Sequence, residues 1–140
     1  MYRETEDTSI LVVGINGKLL GIDRATGEVK WEDPLEGGGY GEVYIVWLRD
    51  VMFVSAGGKS VFCFRYPTGR KLWYAETSAP GRATMLVQGA HLFVAKGGEV
   101  ECFTHDGAKL WTQALPGRSQ DNITLALPGL VAQADNAGAR

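Results

Sequence analysis

The stretch that decides the fold is residues 99–111, EVECFTHDGAKLW, because the same design occurs twice before it. The earlier copies are residues 18–31, KLLGIDRATGEVKW, and residues 60–73, SVFCFRYPTGRKLW. Each copy is a short apolar-rich run, a turn that ends in glycine, and a second run that closes on tryptophan. A unit that recurs three times in 140 residues predicts a repeat architecture.

The match extends beyond these copies in both directions. Ahead of each copy lies a β-branched and aromatic run that ends in glycine, as half-buried strands do, over residues 9–17, 50–58 and 90–98. Further apolar runs precede the second and third copies and follow the third, over residues 43–48, 83–88, 123–127 and 130–135. The period is about 40 residues, with four strands in each full unit.

The repeat predicts an all-β propeller. With the four strands of a unit called A, B, C and D, the chain runs B-C-D, A-B-C-D, A-B-C-D, A-B. No segment has convincing helical periodicity over ten or more residues, so we expect about a dozen strands and negligible helix. Four strands per ~40 residues is the period of propeller blades.

The stretch from strand C to strand D resembles the PQQ-type propeller repeat, in which an Ala-Leu-Asp strand end is followed by Thr-Gly and then Trp. Residues 21–31, GIDRATGEVKW, are close to that pattern. Residues 63–73 have Arg65 in place of Asp, and residues 102–111 have Thr104 there and a turn one residue shorter. The resemblance covers residues 10–135 and implies that the Trp docks against the adjoining blade while the Gly makes the tight turn.

The recurring residues are therefore predicted to be structural. They are Trp31, Trp73, Trp111, Gly27, Gly69 and Gly107. We expect Gly69 and Gly107 to have positive φ. We also expect Trp111→Ala to cost about 3–5 kcal/mol if the indole is buried between blades. Trp47 breaks the repeat within strand A and lines the channel or joins the core.

The domain predicted over residues 1–140 is a half-propeller. Its parts are blade 1 over 9–34, which lacks strand A, blade 2 over 43–76, blade 3 over 83–115, and extra strands over 123–135. Three blades expose apolar end faces, so we expect a homodimer that closes one six-bladed ring. Strand A at 123–127 of each copy would complete blade 1 of the other, which leaves 130–135 as a peripheral tail. The alternative is a piece of a longer propeller, cut in mid-blade.

Composition argues against several partners and places. The formal net charge is −2, and the scattered Lys and Arg form no basic face for nucleic acid. The sequence contains no run of 18 apolar residues, which argues against a membrane span. The start, MYRETEDTS, is charged and lacks the apolar region of a signal peptide, which predicts a cytoplasmic location unless the chain is trimmed.

Cysteine and histidine spacing predicts neither a metal site nor a cofactor. Cys63 and Cys102 share the repeat position of Gly21, which indicates a small buried site rather than a disulfide or zinc site. His91 and His105 have unrelated repeat positions. Quinoprotein dehydrogenases use the same repeat, but their pattern includes a larger closed propeller, a vicinal cysteine pair and a calcium site. We therefore predict a non-enzymatic protein.

The loops from strand D to the next strand A are the candidate binding sites, because divergent polar residues on a rigid scaffold commonly carry binding. These residues are Tyr40, Glu42, Arg82, Arg118, Asp121 and Asn122. The favoured interpretation is an interaction scaffold that binds a protein or peptide at this loop face. A small-molecule or carbohydrate binder, with sites at the channel mouth or between blades, is the alternative, although such a binder should repeat its polar residues. A fragment of a quinone-dependent dehydrogenase is the third and least favoured.

Overall fold

The computed structural model describes residues 7–39, 41–116 and 123–132. In these ranges the chain forms thirteen strands and no helix, as the sequence predicted. All strand pairs are antiparallel, and consecutive strands pair with one another in every sheet.

The strands group into three sheets and a hairpin. Blade 1 contains β1 (Ile10–Ile15), β2 (Lys18–Asp23) and β3 (Val29–Asp33). Blade 2 contains β4 (Tyr44–Leu48), β5 (Val51–Ser55), β6 (Ser60–Arg65) and β7 (Arg70–Glu76). Blade 3 contains β8 (Thr84–Gln88), β9 (His91–Lys96), β10 (Glu99–Thr104) and β11 (Lys109–Ala114). The hairpin is β12 (Leu125–Leu127) with β13 (Leu130–Ala132).

The order of strands confirms the predicted phase of the repeat. Blade 1 has strands B, C and D among the described residues, blades 2 and 3 have all four, and the hairpin has A and B. The strand A members β4, β8 and β12 lie beside one another, with β8 contacting both others. This arrangement puts the first strand of each unit on the inner side of its blade.

The C-terminal hairpin differs from the expectation of a peripheral tail. Leu125 pairs with Ala132, and Leu127 pairs with Leu130. The turn between them is tight because Gly129 has a φ of 84°, which glycine adopts without steric cost. The backbone of β12 needs hydrogen-bond partners, and β13 supplies them. The expectation is wrong for residues 130–132, and residues 133–135 lie outside the described ranges.

The apolar core lies between blades rather than within one layer. One cluster joins blades 1 and 2 and includes Leu19, Met52, Val54, Phe62 and Phe64. A second joins blades 2 and 3 and includes Phe53, Cys63, Leu92, Val94 and Phe103. Successive side chains of a strand point to opposite faces. The residues of β5 and β6 therefore divide between the two clusters, and almost every one of them is buried.

Each of the first two repeat tryptophans docks onto the turn of the following blade. The indole of Trp31 covers Gly69 so closely that a Cβ there would overlap the ring, and its N–H donates to the carbonyl of Pro67 at 2.9 Å. A Cβ at Gly107 would lie 2.8 Å from the ring of Trp73. The φ angles of Gly69 and Gly107 are 74° and 88°, which confirms the predicted left-handed turns, and Gly27 has a similar φ of 79°.

The other repeat positions divide into confirmed and corrected expectations. Cys63 and Cys102 are buried free thiols, and a Cβ on the equivalent Gly21 would overlap Trp31, so this is a small buried site.

Trp111 is 46% exposed, and its ring contacts Phe93 at 6.2 Å between centroids. The expectation of a buried Trp111 is wrong for the single chain, because the described residues place no C-to-D turn against this side of blade 3.

Candidate interaction face formed by the inter-blade loops

The D-to-A loops lie beside the B-to-C turns on one side of the blades, and we call this side the loop face. The Gly17 amide, in the B-to-C turn of blade 1, donates to the carbonyl of Gly41 at 3.0 Å. The Gly81 amide, in the loop after blade 2, donates to the carbonyl of Gly57 at 2.9 Å. These backbone bonds fix the loops to neighbouring turns.

Glycine makes the close packing of the first loop possible. The Gly58 amide bonds to the carbonyl of Gly38, and a Cβ on Gly58 would overlap the carbonyl oxygen of Gly37. The hydroxyl of Ser60 donates to the same Gly37 carbonyl at 2.9 Å. The side chain of Leu35 is buried in the core between blades 1 and 2. The loop is thus anchored at both its backbone and its apolar side chain.

The second loop is anchored by the buried carboxylate of Glu101. This carboxylate accepts hydrogen bonds from both the amide and the hydroxyl of Ser78 at 2.9 Å. The hydroxyl of Thr112 and the ammonium of Lys109 each donate to it at 2.7 Å. Burial alone raises the pKa of Glu101, but these donors outweigh burial and hold the pKa below its ordinary value. The ionised carboxylate therefore stabilises the loop at neutral pH.

A buried lysine joins blade 3 to the B-to-C turn of blade 2. Lys96 is 3% exposed, and its ammonium donates to the carbonyls of Ala56 at 3.1 Å, Gly58 at 2.6 Å and Ser60 at 3.2 Å. Burial lowers the pKa of Lys96 to about 8, although the charge of Glu101 opposes that shift. The three carbonyls satisfy all three donors of the ammonium group.

Lys96 and Glu101 were absent from the residues predicted from sequence, although the repeat contains a signal for both. Glu101 occupies the repeat position of Leu20 and Phe62, and Lys96 occupies that of Ala56. A charged residue where the other copies are apolar needs a partner when it is buried. Comparing the copies position by position would have indicated these two anchors.

Two of the predicted binding residues are brought together at the loop face. Glu42 precedes β4 and Arg82 precedes β8, and their side chains form an ion pair at 3.9 Å. Both side chains are about half exposed, and the Tyr44 hydroxyl donates to Glu42 at 3.3 Å. The remaining predicted residues lie outside the described ranges; they are Tyr40, Arg118, Asp121 and Asn122.

The chemistry available at the loop face is polar recognition. Glu42 and Arg82 present opposite charges on loops that the Gly58–Gly38 hydrogen bond and the Ser78–Glu101 contacts hold in place. Over residues 7–39, 41–116 and 123–132, no group of three His, Cys, Asp or Glu side chains is placed to hold a metal ion. The same ranges contain no helix long and apolar enough to cross a membrane.

Comparison with a family model identifies the repeat. The model described as outer membrane protein assembly factor BamB matches residues 17–138. The chain belongs to the BamB family. The predicted resemblance to PQQ-type propellers is therefore confirmed.

Solved structures share this fold at low sequence identity. BamB from Moraxella catarrhalis is 21% identical with a TM-score of 0.65, and the match covers 94% of this chain and 42% of that one. The computationally designed Ika4 protein is 16% identical with a TM-score of 0.64, and the coverage is 93% and 82%. A europium-containing methanol dehydrogenase is 11% identical with a TM-score of 0.58, and the coverage is 76% and 23%.

The chain spans about two fifths of the length of the BamB structure that it matches, since the shared part covers 42% of that protein. A search of curated proteins finds no match. The structural likenesses show the fold, and both an assembly factor and a dehydrogenase have it.

Proposed function

We propose that this chain is a non-enzymatic interaction scaffold that binds a protein or an extended peptide at the loop face. The observation that carries the proposal is the Glu42–Arg82 ion pair, which bridges two adjacent D-to-A loops with both side chains half exposed. Loops that a rigid scaffold positions are the usual place for binding residues. Membership of a family described as an assembly factor supports the same class of function.

The anchoring contacts give this face a fixed shape before a partner arrives. Glu101 orders the loop after blade 2, and Lys96 orders the B-to-C turn of blade 2. A surface that is already ordered loses less conformational entropy on binding than a flexible one. The charges of Glu42 and Arg82 then determine orientation and specificity more than affinity.

Reversing the charges of the pair tests the loop face. The double variant Glu42→Arg with Arg82→Glu keeps opposite charges in contact, so the fold is preserved while the pattern presented to a partner is inverted. The control is Asp50→Arg with Arg65→Asp, an ion pair at 2.9 Å between the A-to-B turn and the end of strand C, on the opposite side of the blade. Tagged chains are cross-linked in native lysate, and the cross-linked peptides are identified by mass spectrometry.

We expect a partner cross-linked through the D-to-A loops of wild type and of the control, and lost from the loop variant. Cross-links that survive the loop reversal, or that map to the opposite side of the blades, would overturn the proposed site. Stoichiometric binding of pyrroloquinoline quinone, followed by absorption spectroscopy, would instead favour the dehydrogenase interpretation. The cytoplasmic location stays a prediction that cell fractionation checks.

We also propose that two copies associate to close a ring of six blades. The outward sides of blades 1 and 3 carry exposed apolar side chains, including Leu11, Val29 and Trp111. Exposed apolar area of this kind marks an interaction surface. Light scattering on a size-exclusion column tests the association, since a chain of 15.2 kDa would elute at twice that mass.

A further inference from the structure

The docking of tryptophan follows one geometric rule inside the chain. The indole N–H of Trp31 donates to Pro67, two residues before Gly69. That of Trp73 donates to His105, two residues before Gly107, at 2.6 Å. In both cases the ring lies against the glycine so closely that a methyl group there would displace it. The seat of each tryptophan therefore consists of a left-handed glycine and the carbonyl two positions before it.

One seat and one tryptophan are unmatched in the described part of the chain. Gly27 has the same left-handed conformation as the other two glycines, yet no described atom lies within 4 Å of its Cβ position. The carbonyl two residues before it belongs to Ala25. At the other end, Trp111 is the third repeat tryptophan, and its indole is about half exposed.

The surfaces around these two residues match the interfaces inside the chain. Phe53, Cys63 and Trp73 form a cross-strand row that packs against blade 3. The equivalent row on the outward side of blade 3 is Phe93, Cys102 and Trp111.

Blade 1 offers the opposite surface. Leu11, Ile22 and Val29 form one cross-strand row, and alternation puts this row on the side away from blade 2. Leu11 and Ile22 correspond in the repeat to Met52 and Phe64, which blade 2 presents to blade 1. The outward row of blade 1 is thus the counterpart of the outward row of blade 3.

We propose that Trp111 of one copy docks on Gly27 of a second copy, with its indole N–H donating to the carbonyl of Ala25. The inference rests on the two-copy ring proposed above and assigns the residues of its seams. The partner is a second copy because one chain contains both surfaces of this interface. The chain forms the same kind of interface twice between its own blades. Two-fold symmetry then forms two identical seams.

Two strand pairings are possible at the seam, and both allow the same contact between Trp111 and Gly27. Among the described residues, no strand pairs with the edge of β1 that faces away from β2. At this edge the hydroxyl of Tyr66 donates to the carbonyl of Ile10 at 2.8 Å and accepts from the amide of Ile10 at 3.0 Å. In one arrangement, β12 of the second copy separates from β13 and pairs with β1. In the other, β12 and β13 stay paired, and β13 takes the place of β1 in the sheet of blade 1. Trp111 reaches Gly27 in either case, because Gly27 belongs to the turn after β2.

Two variants remove the contact from opposite sides. Trp111→Ala deletes the indole, and Gly27→Ala puts a methyl group where the ring would lie. The control for the first is Tyr74→Ala, which truncates an aromatic side chain of similar exposure on the D strand of blade 2. The control for the second is Gly89→Ala, since Gly89 also has positive φ and nothing within 4 Å of its Cβ position.

Association is measured by light scattering and by sedimentation over a dilution series. Loss of one tryptophan at the centre of an interface typically raises the dissociation constant by roughly 30-fold. Because each dimer contains two seams, we expect Trp111→Ala to raise it by about 1,000-fold. Gly27→Ala weakens association in the same direction, and the two controls stay within about threefold of wild type. Circular dichroism verifies that each variant retains the β fold.

Mixing the two variants gives the sharpest test. A mixed dimer of the Trp111→Ala and Gly27→Ala chains has one intact seam and one doubly altered seam. We expect it to form about 30-fold more tightly than the Trp111→Ala homodimer, as measured with one fluorescently labelled chain. If the two residues did not meet, their effects would add, and the dissociation constant of the mixed dimer would equal the geometric mean of those of the two variant homodimers; if they meet, it falls clearly below that mean.

The outcomes separate the two proposals. A wild-type mass of 15.2 kDa at all concentrations overturns the two-copy ring, and the seam with it. A wild-type dimer that both substitutions leave unchanged overturns only the docking of Trp111 on Gly27. If Trp111→Ala does not fold, Gly27→Ala against Gly89→Ala decides the question alone. The charge reversal at Glu42 and Arg82 tests the loop face independently.

Discussion

Trp73 donates its indole N–H to the carbonyl of His105 at 2.6 Å while its ring lies against Gly107. This contact between blades 2 and 3 combines a hydrogen bond, an aromatic surface and a residue without a side chain. The ring lies this close because Gly107 has no Cβ, and its φ of 88° is a conformation that glycine adopts without steric cost.

Trp73→Ala should destabilise the chain far more than Trp111→Ala. The first substitution removes a ring packed in the core between blades 2 and 3, which typically costs about 3–5 kcal/mol. The second removes a half-exposed ring, and we expect a loss of roughly 1 kcal/mol in the dilute chain. Urea unfolding at concentrations below any association measures both. Equal losses would contradict the assignment of Trp73 as the docked residue.

Comparing Gly69→Ala with Gly27→Ala isolates the free-energy cost of steric overlap with the tryptophan ring. Both positions have positive φ, so each alanine carries a similar strain of about 1–2 kcal/mol. Only at Gly69 does the new methyl group also overlap the ring of Trp31. We expect Gly69→Ala to lower the free energy of unfolding by clearly more than Gly27→Ala. A difference of zero in thermal or urea unfolding would exclude a tight seat at Gly69.

The buried Lys96 should make stability rise with pH in the alkaline range. Burial lowers its pKa from 10.5 to about 8 in the folded chain. Between these values the unfolded chain holds the proton that the folded chain has released, so the free energy of unfolding increases with pH. The gain relative to Lys96→Met approaches about 3 kcal/mol as the pH reaches 10.5. Guanidinium unfolding of both chains from pH 7 to 10 measures it, and parallel curves would refute it.

Glu101 should also make stability rise with pH, but in the acid range. Its pKa is held below the ordinary value, so its contribution is fully present above pH 4.5 and is lost as the pH falls through the folded value. Glu101→Gln removes the charge and should cost about 2 kcal/mol at pH 7. The difference between wild type and variant should shrink below pH 4, as followed by urea midpoints. The control is Glu28→Gln, an exposed carboxylate on blade 1.

Much of the fold follows from the spacing of a few residues. The glycine–tryptophan period predicts the blades, and the left-handed turns at Gly69 and Gly107 follow from the same pattern. The pairing of β12 with β13 was not predicted, because residues 130–135 contain Gln133 and Asp135 and are the least apolar copy of strand B, and because the partner is set by a tight turn. The exposure of Trp111 depends on what packs against blade 3, which no local pattern encodes.

The candidate site was predicted less completely than the fold. Placing the D-to-A loops beside the B-to-C turns brings Glu42 and Arg82 together, as blade geometry requires. Glu101 was missed, although its charge at an otherwise apolar repeat position was visible. Its partner Ser78 lies 23 residues away, and such a contact depends on how two blades face each other.

Blade 2 is held on both sides, because β5 and β6 contribute to both core clusters while blades 1 and 3 each share only one. A linear array of units coupled to nearest neighbours loses its end units first. Amide protons of Phe53 and Phe62 should therefore exchange with solvent only in global opening events, whereas those of β3 and β11 exchange through local fraying. In the dissociated chain, mechanical or thermal stress would then separate the outer blades before the middle one, so the order of unfolding runs inward from both ends.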